Sequence, residues 1–161
     1  MLSDTDGLAG ETRDVTAATD EARRARRAAV VLEHMQSENV QRWDRTIKTF
    51  SHARYELPDG TVVDGHDAVL RYWVEGRTLV PDQHNELIEL THLDDGGVLI
   101  EFWLRGTPTT TARPFEVRLW AAFAFDADDL MTSERVFASQ PTDDQLAGQV
   151  TTDGRAVDAP T

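Results

Sequence analysis

The sequence contains no cysteine. Disulfide bonds, thiolate zinc sites and a cysteine nucleophile are therefore excluded. The sequence also lacks an apolar run of the roughly 20 residues that a membrane-spanning helix needs. Its acidic first residues have no apolar segment of the kind found in a secretory signal. These absences make a cytoplasmic location the expectation.

Several motifs of known chemistry are missing as well. The five histidines are scattered, with no pair at the i, i+4 helical spacing that is typical of a zinc site. There is no glycine-rich phosphate loop and no Gly-x-Ser-x-Gly nucleophile elbow. We therefore expect neither a metal ion nor another cofactor.

Basic residues are scarce: 16 Lys and Arg stand against 29 Asp and Glu, which gives a net charge of −13. Most of the excess lies in residues 1–21 and 126–161. This charge disfavours nucleic acid and anionic lipid as partners. The basic residues Arg23, Arg24, Arg26 and Arg27 form one cluster, which we interpret as the solvated face of a helix.

A chain of 161 residues suits a single domain, and 40% hydrophobic with 28% charged residues is typical of a globular protein. We predict three segments. Residues 1–18 form a disordered acidic tail, residues 19–147 the single domain, and residues 148–161 a flexible C-terminal tail.

Apolar spacing predicts the helices. A first helix is expected from about Thr19 to the break at residues 37–39. A second amphipathic stripe steps by three and four residues through Val40, Trp43, Ile47 and Phe50. A third helix is expected to open at residues 64–67, with either Asp64 or His66-Asp67 near its cap, and to be closed by Gly76 and Pro81.

Alternating apolar residues predict the strands. A hairpin is expected at residues 52–57 and 61–63, around the turn Pro58-Asp59-Gly60. Longer strands are expected at residues 84–92, 98–106, 114–125 and 130–138. Helices followed by a run of antiparallel strands indicate an α+β fold with one amphipathic sheet.

Opposite charges lie on the neighbouring strands 98–106 and 114–125. If residues whose numbers sum to about 219 stand opposite one another, Glu101 faces Arg118 and Trp103 faces Glu116. One interpretation is a face of ion pairs at a dimer interface, and the other is a pocket carboxylate oriented by arginine. The exposed pair Trp103 and Trp120 favours contact with a partner subunit.

Four segments carry a resemblance to a known family: residues 81–88, residues 94–97, Gly106-Thr107 and Glu134-Arg135-Val136-Phe137. In this order the chain resembles the SnoaL-like branch of the nuclear transport factor 2-like superfamily, which includes polyketide cyclases, over roughly residues 25–147. The resemblance implies a cone-shaped, mostly antiparallel sheet (nuclear transport factor 2-like or cystatin-like) around about three helices. It also implies an internal pocket and a homodimer formed through the sheet.

The resemblance also implies where to look for chemistry. Relatives often carry His and Asp at positions where this chain has Pro108 and Ser139. The catalytic candidates that remain are Glu134, Glu101, His52 and His84. The expected pocket-lining residues are Trp43, Tyr55, Tyr72, Phe102, Arg118, Arg135, Phe137 and Ser139. Which face of the last strand lines the pocket stays open, because Glu134 points to one face and Arg135 to the other.

Two functions compete. The first is a cofactor-independent cyclase, isomerase or hydrolase that acts on a small hydrophobic molecule by general acid–base chemistry. The second is a non-catalytic dimeric protein of the same fold that binds a ligand or serves as a scaffold. An open cavity with a convergent carboxylate and histidine would favour the enzyme, and a cavity plugged by side chains would favour the scaffold.

Overall fold

The computed structural model describes the backbone of residues 6–147 and the side chains of residues 15–147. The predicted C-terminal tail at residues 148–161 lies outside the described residues. None of the helices described within these bounds has the length and apolar composition needed to cross a bilayer.

The helices are α1 (Asp6–Asn39), α2 (Trp43–Thr46), α3 (His66–Leu79) and α4 (Asp143–Leu146), with a 3₁₀ turn at Ile47–Thr49 directly after α2. α1 begins at Asp6 rather than near Thr19, so residues 6–18 of the predicted disordered tail are helical. No proline interrupts this stretch of the sequence. Acidic residues near the N-terminus of a helix stabilise it through the helix dipole.

The strands are β1 (Arg54–Glu56), β2 (Val62–Asp64), β3 (His84–His92), β4 (Val98–Gly106), β5 (Phe115–Phe125) and β6 (Met131–Phe137). They form one six-stranded sheet in the order β2-β1-β6-β5-β4-β3. β1 runs parallel to β6, and the other neighbours are antiparallel. The predicted α+β architecture with one mostly antiparallel sheet is confirmed.

The β4–β5 register differs by two residues from the prediction. Gly106 pairs with Phe115, so the whole stretch between them forms the connection and Trp103 stands opposite Arg118 rather than Glu116. A shift of two residues keeps every side chain on its face. Glu101 and Arg118 therefore still form the predicted ion pair, now across a diagonal.

The core lies between the helices and one face of the sheet. Val31 of α1, Val69 of α3, Ile100 of β4 and Phe123 of β5 are almost fully buried there. The opposite face of β4 and β5 carries Trp103, Trp120 and the charged pairs. The sheet is thus amphipathic, as the alternation in β5 predicts.

Arg27 of α1 corrects the interpretation of the basic cluster as a solvated face. Its side chain is only 10% exposed, and its Nε lies 2.7 Å from Asp129 in the β5–β6 turn. Its other nitrogens donate to the carbonyl oxygens of Gly96 and Asp126. Arg26 binds the second oxygen of Asp129. The two arginines therefore hold two hairpin turns against α1.

Candidate active site

A cavity of about 450 Å³ opens between α3 and the inner face of the sheet. Much of its wall is apolar, with Phe102, Leu104, Leu119 and Val136 contributed by β4, β5 and β6. Three of the polar groups that reach it are Glu38 at the end of α1, Tyr55 on β1 and Glu134 on β6. Tyr55 and Glu134 stand side by side because β1 and β6 pair in parallel at these residues.

Behind this polar group lies His34, which is 1% exposed and belongs to α1. Its Nε2 is 2.9 Å from the Tyr55 hydroxyl, 3.3 Å from Glu134 Oε2 and 3.6 Å from Glu38 Oε2. One imidazole nitrogen is thus shared by three oxygen-bearing groups that line the cavity. We call His34, Glu38, Tyr55 and Glu134 the buried tetrad.

Hydrogen bonds around Thr49 fix the tautomer of His34. The Thr49 hydroxyl donates to the carbonyl oxygen of Thr46 at 2.6 Å, so its only hydrogen is committed. His34 Nδ1 lies 3.1 Å from that same hydroxyl oxygen and must therefore donate to it. The neutral imidazole then has a free lone pair on Nε2, and a second proton on the ring must sit on Nε2, facing the carboxylates.

Tyr55 connects the imidazole to the cavity. Its hydroxyl oxygen accepts a hydrogen bond from the indole Nε1 of Trp73 at 3.2 Å. When His34 is neutral, the Tyr55 hydroxyl donates to Nε2. When His34 is an imidazolium, Nε2–H is itself a donor, and the Tyr55 hydrogen is free to point elsewhere.

The charges near His34 favour the imidazolium. Burial, the largest single influence, lowers the pKa of His34, but the hydrogen bond and charge of Glu134 and the charge of Glu38 raise it by more. The net pKa of His34 is raised above 6.5. Glu134 Oε2 is buried and has no well-aligned hydrogen-bond partner among the described residues, so a proton on Nε2 would also satisfy this oxygen.

Glu38 is the carboxyl group of the tetrad that resists ionisation. Burial raises its pKa, and the neighbouring Glu134 adds to the effect, while His34 and Arg77 oppose it. Arg77 lies 3.6 Å from Glu38 but is committed to the carbonyl oxygens of Gln83 and Glu38. When the pKa of one of two neighbouring carboxyl groups is raised, that group can serve as an acid while the other serves as a base.

Both cavity tyrosines stay protonated. Burial and the charges of Glu134 and Glu38 raise the pKa of Tyr55 well above 10. The same causes raise the pKa of Tyr72 to about 12. The two phenols therefore remain hydrogen-bond donors, and the arrangement can take up, hold and return a proton beside an apolar wall.

The structure brings only one of the four expected catalytic residues to the cavity, namely Glu134. Glu101 lies on the opposite face of the sheet with Arg118. His52 is exposed and binds Asp64 at 2.7 Å. The N-cap of α3 is Gly65, which lies between the two expected cap positions, and Asp67 lies in the first turn of the helix. His84 is exposed at the start of β3, opposite Arg105.

Three of the eight expected lining residues do line the cavity: Tyr55, Tyr72 and Phe102. Trp43 instead stacks on Trp73 with ring centres 5.6 Å apart, one layer behind the wall. Arg118 faces away, because it alternates with Leu119 along β5. The remaining three line a separate surface groove beside β1 and α4: Arg135, Phe137 and Ser139.

His34 and Glu38 were missed in the sequence. They lie four residues apart on α1, so both point to one helix face. That spacing was the available signal, but a helix of alanines, leucine and methionine gave no reason to look for polar groups on its buried side.

No group of three metal-ligating side chains is found among residues 15–147. The tetrad supplies one imidazole and two carboxyl groups, but its Nε2 is already shared with Tyr55. The sequence contains no glycine-rich loop of the kind that binds the phosphate groups of a cofactor.

Comparisons with known proteins agree with this fold. Three solved structures superpose on the chain. One is the epoxide hydrolase/cyclase-like enzyme SalBIII, which has a role in pyran ring formation in the polyether salinomycin. It is 20% identical to this chain, the superposition covers 70% of this chain and 90% of SalBIII, and the TM-score is 0.63. A protein from Catenulispora acidiphila with a ketosteroid isomerase-like fold, in complex with trimethylamine, is 15% identical over 68% and 85% of the chains, with a TM-score of 0.61. A cystatin-fold protein from Novosphingobium aromaticivorans is 17% identical over 69% and 97%, with a TM-score of 0.60.

These likenesses confirm the expected nuclear transport factor 2-like, cystatin-like fold. No curated protein matches the chain. The model of the SnoaL-like domain matches residues 31–134, well over half of the sequence and including the entire buried tetrad. This chain therefore belongs to the SnoaL-like domain family.

Proposed function

We propose that this protein is a cofactor-independent enzyme that moves a proton on a small, largely apolar molecule, in a cyclisation, isomerisation or hydrolysis. The observation that carries the proposal is the open cavity in which Glu134 and Tyr55 stand side by side in contact with one buried imidazole. In a non-catalytic scaffold the buried tetrad would bring no benefit, because burying two carboxyl groups and an imidazole lowers the stability of the fold.

Each polar group has a role that follows from its surroundings. Glu134 is the general base, because its carboxylate lines the cavity directly beside Tyr55. Tyr55 supplies the hydrogen-bond donor: once Nε2 of His34 is protonated, the Tyr55 hydroxyl no longer donates to it, and a ligand oxygen competes with Glu134 for its hydrogen. His34 is a positioning residue behind both. Glu38 is a second carboxyl group at the cavity, and its raised pKa means that it keeps its proton more readily than an ordinary glutamate.

On a ketone the reaction would run as follows. Glu134 takes the proton from the carbon next to the carbonyl, and the electron pair of that C–H bond becomes the enolate. The Tyr55 hydroxyl stabilises the enolate oxygen by a hydrogen bond. The proton then returns to carbon from Glu134, or the enolate attacks an electrophile within the same molecule, which closes a ring.

Likeness to SalBIII supports this class of chemistry, since that enzyme is described as epoxide hydrolase/cyclase-like and acts in ring formation. Small-molecule binding is also what a cavity of about 450 Å³ with an apolar wall and few polar groups suits.

The experiment uses 2-tetralone, an uncharged ketone with acidic C–H bonds, in D₂O. Exchange of its C1 protons for deuterium, followed by NMR, reports proton abstraction without further chemistry. We expect the protein to accelerate exchange and Glu134→Gln to lower the protein-dependent rate by about 10²–10⁴-fold. Glu101→Gln is the matched control, because it removes the same charge from the outer face. Equal rates for wild type and Glu134→Gln would refute Glu134 as the base.

We also propose that the protein is a homodimer formed through the outer face of the sheet. Trp103 and Trp120 lie there, each beneath an arginine that is paired with a carboxylate, at 5.7 Å from Arg105 and 5.6 Å from Arg118. Both tryptophans are partly exposed, and aromatic residues together with arginine are enriched in protein–protein interfaces.

A further inference from the structure

The residues that α3 presents to the cavity differ greatly in side-chain size. Four of its residues line the wall: Tyr72, Trp73, Gly76 and Arg77. Three of these are among the largest residue types, and the fourth has no side chain at all. The wall formed by α3 is therefore indented at Gly76.

The backbone does not require glycine at this position. The described glycines with positive φ are Gly60, Gly65 and Gly96, so Gly76 has a conformation open to any residue. It lies inside α3, four residues before the C-cap Val80, and glycine is less stable than alanine in a helix interior.

Packing does not require glycine either. A Cβ placed on Gly76 would meet no atom within 4 Å. Gly106 gives the contrast, because a Cβ there would collide with Val80 and contact the ring of Phe115. The space in front of Gly76 is the cavity itself.

Beside Phe102 and the polar groups Tyr55 and Glu134, the sheet contributes three aliphatic side chains to the cavity: Leu104, Leu119 and Val136. We propose that Gly76 is a specificity-determining residue: its missing side chain makes room for an apolar group, bulkier than a single ring, between α3 and these three residues. The proposal rests on the proposed function in one respect, that the ligand occupies this cavity, and it adds the size class of the ligand.

Binding of uncharged ketones tests the proposal without any turnover. The variants are Gly76→Leu and Gly76→Ala, and the probes are cyclopentanone and 2-tetralone, titrated by ligand-observed NMR. We expect Gly76→Leu to weaken 2-tetralone binding at least tenfold and to change cyclopentanone binding by less than about threefold. Glu75→Leu adds the same side chain to the adjacent, exposed position of α3 and should leave both affinities within twofold.

Thermal unfolding separates this proposal from a structural role for the glycine. Because the added methyl group meets nothing, Gly76→Ala should raise Tm by on the order of 2–4 °C. A lowered Tm in Gly76→Ala or Gly76→Leu would show that the space is not free and would overturn the proposal. So would unchanged 2-tetralone binding in Gly76→Leu, or the absence of 2-tetralone binding to wild type. A Glu134→Gln variant that exchanges 2-tetralone as fast as wild type would refute the proposed base and leave these binding outcomes unchanged, so failure of the base can be told apart from failure of the Gly76 proposal.

Discussion

His34 receives its partners from three elements. Glu38 comes from its own helix, Tyr55 from β1 and Glu134 from β6. The Nδ1 side is anchored to Thr49, so the ring does not turn to follow any one of them. A single proton on Nε2 consequently decides the hydrogen bonding of Tyr55 and Glu134 together.

The first prediction at this scale concerns Glu38. A raised carboxyl pKa in the folded state means that ionisation destabilises the fold. The associated stability is present below pH 4.5 and is lost as the pH rises through the folded pKa. Glu38→Gln, which cannot ionise, should therefore be more stable than wild type at pH 8, with the difference shrinking toward pH 4. Urea unfolding at the two pH values measures this, and a variant that is less stable at pH 8 would contradict it.

His34 gives the second prediction. Its folded pKa is raised, so its charge stabilises the fold fully below pH 6.5, and this contribution is lost as the pH rises through the folded pKa. His34→Gln should therefore lose most stability near pH 5.5 and less near pH 9. His52→Gln removes a surface histidine and serves as control. A deficit in His34→Gln that grows with pH would show that the imidazole is neutral in the folded protein.

Of the tetrad, the sequence pointed to Glu134, because it belongs to the family-like segment 134–137, and to Tyr55, because it is a hydroxyl donor on a predicted strand. It did not point to His34 or Glu38. Both residues matter because α1 packs against the sheet and buries them. The spacing of apolar residues in the sequence does not distinguish a buried polar residue from an exposed one.

At the scale of elements, α1 is attached to the sheet at both ends of its buried stretch. Arg27 binds the turns after β3 and β5 at one end. At the other end Asn39 exchanges two hydrogen bonds with the backbone of Asn85 in β3. The helix that carries His34 is therefore fixed along its length relative to β6, which carries Glu134.

Arg27 supplies the third prediction. Arg27→Ala removes hydrogen bonds to two turns and leaves Asp129, whose side chain is 11% exposed, with a partner only at the surface. We expect a loss of unfolding free energy on the order of 3 kcal/mol. Arg26→Ala, which removes a 56% exposed partner of the same carboxylate, should cost less than about 1 kcal/mol. Equal losses in the two variants, measured by chemical denaturation, would contradict the role given to Arg27.

The strands were predictable because alternation over a whole strand, as in β5, is a period that a helix does not produce. The register of β4 and β5 was not, since it depends on how the connecting loop turns. The early start of α1 was also missed, because two glycines in an acidic stretch resemble a disordered tail in composition.

For the whole molecule, the sheet separates two surfaces of different character. The inner face encloses the cavity, and the outer face carries tryptophans among ion pairs. Helices and strands of one chain supply the named walls of the cavity. The proposed dimer interface and the proposed active site therefore lie on opposite sides of the sheet.

The fourth prediction is that the protein is a dimer in solution. Light scattering at micromolar concentration should give twice the chain mass of 18.0 kDa. Trp103→Arg should shift the mass toward the monomer, whereas Tyr72→Arg, which changes a half-exposed aromatic at the cavity instead, should not. A wild-type mass near 18.0 kDa would count against the outer face as an interface.

The most direct test of the acid–base account is the pH dependence of the 2-tetralone exchange rate in wild type, Glu134→Gln and Glu101→Gln. We expect the wild-type rate to rise as one basic group loses its proton, Glu101→Gln to follow the same curve, and Glu134→Gln to show only the background reaction at every pH. A Glu134→Gln profile that matches wild type, or a wild-type rate no faster than buffer alone, would contradict it.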